Sequence, residues 1–221
     1  LSEMEFQTVG KNWEEKIIKL LPHQLEDLSG ILLRRNALIS WDTGLGKTLG
    51  GIVWSQVKGG QTLIIAPAVN TIDPWAQQLK EYVPNASVML LKKASDIHKY
   101  DKQDYLIVGF ESLPRIYKSL AWFHFRNLIL DESDNAKNKQ SKRFKSLRAI
   151  AKRFKNRLLM SGTPTRNNVN EIYNQIELLC QNSRSMMCWA TEKIEYDRSS
   201  REWDTARNSN YGKPFPAWGG H

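Results

Sequence analysis

The chain has 221 residues, of which 41% are hydrophobic and 25% charged, and 32 Lys and Arg against 23 Asp and Glu give a formal net charge of +9. That is enough apolar material for one large domain, or one domain with an appendage, and it excludes a disulfide-stapled miniprotein. No apolar run approaches the ~18 residues that a membrane helix needs, so no membrane partner is expected.

Taken in chain order, residues 1–20 form a polar lead-in that is expected to turn helical from Trp13 to Leu21. Pro22 suits the first turn of a second helix reaching Arg35. Short apolar runs bounded by turn residues then recur at Asn36–Ser40, Thr62–Ala66, Ser87–Leu91, Asp104–Phe110, Asn127–Asp131 and Arg157–Ser161. They read as buried strands. Helical spacing falls between them at Thr48–Val57, Thr71–Tyr82, Ser112–Leu120, Ser141–Phe154 and Val169–Leu179. Alternation of this kind requires crossovers, so the fold class is α/β with a mostly parallel sheet flanked by helices. Residues 21–182 are expected to form that domain, and 183–221, rich in Gly and Pro towards the end, an irregular tail or linker. Trp54 and Trp122 read as core residues.

Three segments carry chemistry. Asp42-Thr43-Gly44-Leu45-Gly46-Lys47-Thr48 lies between a strand and a helix, as a phosphate loop does. Its glycines let backbone N–H groups curl around an anion, Lys47 can neutralise β- and γ-phosphates, and the Thr48 hydroxyl can ligate Mg²⁺. The strict motif has glycine where this chain has Trp41. The second segment is Asp131-Glu132, delivered by Leu128-Ile129-Leu130 to the end of a strand. One carboxylate can hold Mg²⁺ and the other can take the proton of an attacking water. The third is Ser161-Gly162-Thr163-Pro164, a small polar turn able to touch the acids or a terminal phosphate.

The charge is uneven. From Asn135 to Asn170 there are eleven Lys and Arg and no acid, which leaves −2 for the rest of the +9 chain. A block of this kind fits a nucleic-acid backbone or a solvated helix face.

In their order these segments resemble the first RecA-like lobe of superfamily-two helicases, and among them the Swi/Snf-type DNA translocases, over about Leu21 to Leu179. Asp42 to Thr48 is similar to the family's D-x-G-L-G-K-T loop, which also lacks the leading glycine. Leu21-Pro22-His23-Gln24 resembles the upstream glutamine motif, Ile64-Ile65-Ala66-Pro67 with Trp75 a DNA-side motif, and Val108 to Leu113 the next turn on that side. Asp131-Glu132-Ser133-Asp134 with Lys137-Asn138 resembles the D-E-A-H element, and Ser161 to Pro164 with Asn167-Asn168 the coupling motif.

The resemblance implies a P-loop NTPase with ATP and Mg²⁺ as cofactors. Glu132 would be the base, Asp131 and Thr48 the metal partners, and Gln24 the reader of adenine, while Thr43, Gly44, Leu45, Gly46 and Lys47 would form the phosphate cradle. Pro67, Glu111, Ser112, Lys137, Lys142 and Arg143 would lie along DNA, expected to be duplex, and Ser161, Gly162 and Thr163 would couple the two events. Ser133-Asp134 stands where the family has Ala-His, so the relaying histidine is absent. A second lobe, the family's source of arginine fingers, is expected elsewhere in a parent chain or in trans. The start lacks a Met and a signal pattern, consistent with an excised piece. Cys180 and Cys188 match no zinc spacing, and a cytoplasmic location, or nuclear in a eukaryote, is expected. Two other readings stay open: a non-catalytic DNA-binding scaffold and a metabolic phosphate-loop kinase.

Overall fold

The computed structural model describes residues 5–9, 15–136, 138–162 and 169–179. Six strands form one sheet: β3 (Asn36–Ser40), β4 (Thr62–Ala66), β5 (Val88–Leu91), β6 (Tyr105–Gly109), β7 (Asn127–Leu130) and β8 (Asn156–Ser161). Every pair is parallel and the order is β3-β8-β7-β4-β6-β5. Burial on both faces explains the unbroken apolar runs, since alternate side chains must each meet a helix layer. Along β4, Leu63 and Ile65 enter one core and Ile64 and Ala66 the other.

The helices divide accordingly. Helices α1 (Pro22–Leu32), α2 (Lys47–Lys58) and α3 (Ile72–Tyr82) supply Leu28, Trp54 and Trp75 to one core. Helices α4 (Leu113–Leu120), α5 (Lys142–Ala151) and α6 (Val169–Leu179) supply Ile116, Phe144 and Leu178 to the other. The result is the expected three-layer α/β fold.

Two expectations are corrected. The stretch expected to be helical from Trp13 forms a strand, β2 (Glu15–Lys19), paired antiparallel with β1 (Glu5–Val9) in register Gln7 with Ile17. The β-branched pair Ile17-Ile18 favours a strand once a partner is supplied, and that partner is invisible to local periodicity. Trp122 is 82% exposed rather than core. It lies just beyond α4, and the neighbouring Phe123 and Phe125 fill the interior, their rings 4.6 and 5.1 Å from Tyr100.

A buried amide pair ties three strands at their N-terminal ends. Asn127 donates to the Gly59 carbonyl at 3.0 Å and to Thr62 Oγ1 at 3.1 Å, and it accepts from Asn156 Nδ2 at 2.8 Å. Asn127→Ala leaves buried partners unsatisfied and should lower the unfolding free energy by about 3 kcal/mol, measured by urea denaturation.

Candidate nucleotide-binding site

Parallel strands deliver all their following loops to one edge, where open α/β sheets bind ligands. The order β3-β8-β7 therefore sets three sequence segments side by side. The loop after β3 holds Gly44 at φ 90° and Gly46 at φ 80°, left-handed values that favour glycine. Gly46 caps the N-terminus of α2, so the helix dipole and free amide groups face the loop.

Lys47 is held from two sides. Its Nζ donates to the Trp41 carbonyl at 3.0 Å and lies 3.8 Å from Glu132 Oε1. Gly162, just past β8, closes the third side: a Cβ there would stand 3.3 Å from Lys47 Nζ and 3.6 Å from Thr43 Oγ1. Thus Thr43, Lys47, Glu132 and Gly162 meet, and buried Ser161 lies immediately behind. Thr163 and Lys137 lie outside the described residues.

Trp41, in place of the strict motif's glycine, is a structural anchor. Its indole N–H donates to Asp27 on α1 and its ring meets His23 edge-on at 5.6 Å. Its six-membered ring occupies the space a Cβ on Gly50 would need. Gln24, 3% exposed, accepts from Leu21 N and donates to the Leu45 carbonyl, each at 2.9 Å. Its amide therefore braces the loop against α1, with one donor and one acceptor position still to offer a ligand.

The acids are positioned differently from each other. Asp131 accepts from Trp75 Nε1 at 2.9 Å and from the Glu132 amide at 2.9 Å. Burial, and secondarily the Glu132 charge, raises its pKa, against the hydrogen bond from Trp75. A desolvated carboxylate of this kind gains from a cation, and with the Thr48 hydroxyl it could hold Mg²⁺. Glu132 adopts φ 44°, a conformation costly for a side chain with a Cβ, and Asn135 Nδ2 holds its carbonyl at 3.0 Å. Ser133 is fully buried and donates to Gln175 on α6 at 2.7 Å. That bond links the acidic segment to α6.

The chain belongs to the SNF2-related family. That family's SNF2-related domain matches residues 11–206. The chromatin remodeling factor mit1 of Schizosaccharomyces pombe is 30% identical over 183 residues, covering 72% of this chain and 13% of that protein. The ISWI chromatin-remodeling complex ATPase ISW2 of Saccharomyces cerevisiae is 30% identical over 191 residues, covering 79% of this chain and 15% of that protein. The chain thus spans a small part of the length of these relatives. Its fold matches the Sulfolobus solfataricus SWI2/SNF2 ATPase core in complex with dsDNA, with a TM-score of 0.62 and 22% identity, over 75% of this chain and 36% of that one.

The other half of the edge, β4-β6-β5, carries three of the residues assigned from sequence to DNA, Pro67, Glu111 and Ser112. Glu111 and Ser112 follow β6 and line a cleft of 420 Å³ with Lys92, Lys93, Ser95 and Arg115. The motif pattern did not single out the last four, because Lys92 and Lys93 sit in a segment remote in sequence and join the others only through β5-β6 pairing. Pro67 follows β4. Lys142 and Arg143 open α5, where Arg143 comes 3.9 Å from Glu111.

Trp75, which follows the Ile64 to Pro67 segment, holds Asp131 through its indole N–H. Trp75→Phe should therefore move the Asp131 titration further up from the ordinary carboxylate value, read by carbon-13 carboxyl NMR. Because the folded-state pKa lies above the unfolded one, Asp131's contribution to stability is complete below pH 3.8 and is lost as pH rises through the folded value. An Asp131 titration unmoved by the substitution would contradict the assigned bond.

Proposed function

We propose that this chain is the ATP-binding lobe of an SNF2-type DNA translocase, a motor that turns nucleotide hydrolysis into movement on or remodelling of duplex DNA. The observation that carries the reading is the meeting of Lys47, Glu132 and Gly162 at one sheet edge, with the Lys92-Lys93-Arg115 cleft on the same edge. Family membership and the ATPases among its relatives support it.

In this proposal the amides around Gly44 and Gly46 and the Lys47 ammonium grip the β- and γ-phosphates. Thr48 and Asp131 would hold Mg²⁺, which would supply charge neutralisation to the phosphates. An arriving triphosphate competes for Lys47, which turns from Glu132 towards the γ-phosphate. That releases the Glu132 carboxylate to orient water and accept its proton at Oε1. Gly162 offers the γ-phosphate an approach with no side chain in the way, so hydrolysis is sensed at the end of β8. Ser133 and Gln175 then pass the change to α6. A second lobe, in a parent chain or in trans, closes the cleft and completes charge stabilisation.

The 221 residues alone should hydrolyse Mg-ATP slowly, and supplying the second lobe should bring DNA-stimulated turnover. Lys47→Ala and Glu132→Gln should each lower that turnover by a factor of about 100 or more, measured as phosphate release. Turnover surviving both changes would remove the proposed site, and duplex binding with no turnover under any condition would favour the non-catalytic scaffold. Lys142→Glu with Lys145→Glu should weaken duplex binding and flatten its salt dependence by about 0.9 per lost contact in the logarithmic slope, checked by fluorescence anisotropy.

A further inference from the structure

One buried side chain touches three parts of the nucleotide edge at once. Trp75, 2% exposed, comes from α3, and its indole N–H donates to Asp131 Oδ2 at 2.9 Å. The six-membered end of the same ring lies against α2, where a Cβ on Gly51 would stand 3.1 Å from Trp75 Cη2. Met160, one residue before Ser161 on β8, fills the other side, its Sδ 3.0 Å from that Cβ position. Gly51, Met160 and Trp75 are all buried, so an added methyl group has no open space to enter.

The place of Gly51 in its helix gives this contact a consequence. Gly51 follows Thr48 by three residues, which sets the two on one face of α2 about a turn apart. Thr48 and Asp131 are the two groups suited to Mg²⁺, and they come from elements far apart in the chain. Between α2 and Asp131 stands the Trp75 ring, against Gly51 at one end and bonded to the carboxylate at the other. The ring can approach α2 this closely because residue 51 has no Cβ: contacts of 3.0 and 3.1 Å are tighter than ordinary van der Waals packing.

We propose that Trp75 and Gly51 together set the separation of Thr48 from Asp131, and so make the metal position selective by cation size, favouring Mg²⁺ over Ca²⁺. The inference rests on the motor reading for the identity of the metal position and adds the residues that fix its dimensions. Mg²⁺ demands oxygen ligands at about 2.0–2.1 Å in near-ideal octahedral geometry, whereas Ca²⁺ accepts about 2.3–2.6 Å in flexible geometry. A few tenths of an ångström therefore discriminate between them, and a Cβ at residue 51 would force a displacement of that size on its neighbours. Trp75 is a positioning residue, because it meets Asp131 and not the cation. Partners that hold metal ligands from outside typically matter by about 10- to 100-fold in metal affinity.

The experiment measures metal-dependent nucleotide binding by the 221-residue chain and needs no turnover. Anisotropy of a fluorescent, non-hydrolysable ATP analogue gives the dissociation constant in EDTA, in Mg²⁺ and in Ca²⁺. In the unaltered chain Mg²⁺ should tighten binding more than Ca²⁺ does. Trp75→Phe keeps an aromatic ring but loses the donor, and should cut the gain from Mg²⁺ by about tenfold, more than it changes the constant in EDTA. Gly51→Ala introduces the better helix former and should shift the ratio of the Ca²⁺ gain to the Mg²⁺ gain towards Ca²⁺, by about tenfold. Adding Met160→Ala to Gly51→Ala makes room for the methyl group and should return that ratio to its original value. A merely structural role for the ring would weaken binding alike in EDTA and in both metals. Such a uniform loss in Trp75→Phe, or a ratio unmoved by Gly51→Ala, would overturn the proposal. Thermal midpoints report folding, and either variant decides the question if the other unfolds. Failure of the motor reading looks different: the unaltered chain would then bind the analogue no more tightly in Mg²⁺ than in EDTA, which would remove this proposal with it.

Discussion

Parallel pairing of β3 with β8 and of β8 with β7 is the constraint on which the rest of the molecule depends. Each of these strands ends in a different chemical segment, and a parallel ladder forces those ends onto one edge. Nothing in the loops themselves would bring Lys47 within 3.8 Å of Glu132 or set Gly162 against both Lys47 and Thr43. The same rule, continued through β4, β6 and β5, lays the basic cleft along the same edge. The Lys47–Glu132 meeting and the basic cleft are thus carried by one sheet.

The site holds several groups at an energetic cost that the surrounding fold covers. Burial raises the Asp131 pKa, and the Trp75 indole and the Glu132 amide, which both donate to it, offset part of that cost. Glu132 occupies a left-handed backbone conformation between that bond and the Asn135 side chain. Strain and desolvation are thus concentrated at two adjacent acids, a pattern that clusters at functional sites. Around them the bracing is ordinary packing. Trp41 fills the space over Gly50 and ties the loop to α1 through Asp27, while Gln24 fastens the Leu45 carbonyl. The tryptophan that breaks the strict phosphate-loop pattern is therefore part of how this loop keeps its shape.

Charge is redistributed by folding. A run that reads as one basic block divides into salt bridges to Glu177, a buried cap on α6, and two exposed groups about a helix length apart. Net charge along a sequence counts groups, whereas a field at a surface depends on which groups remain exposed and what faces them.

Much of this protein was legible before any coordinates. The strands around Thr62–Ala66 and Asn127–Leu130 announce themselves because a strand buried on both faces must be apolar throughout. Asp42 to Thr48 and Asp131-Glu132 are equally readable, since phosphate and metal chemistry restricts which residues can serve. Local pattern failed where partners are distant in the chain: β2 needs β1, and Trp122 is displaced from the interior by Phe123 and Phe125. The grip of Trp75 on Asp131, the Ser133 bond to Gln175, and the cleft uniting Lys92 with Arg115 were decided only by tertiary structure. Each joins residues tens of positions apart, and strand order, which no local periodicity encodes, determines which of them meet.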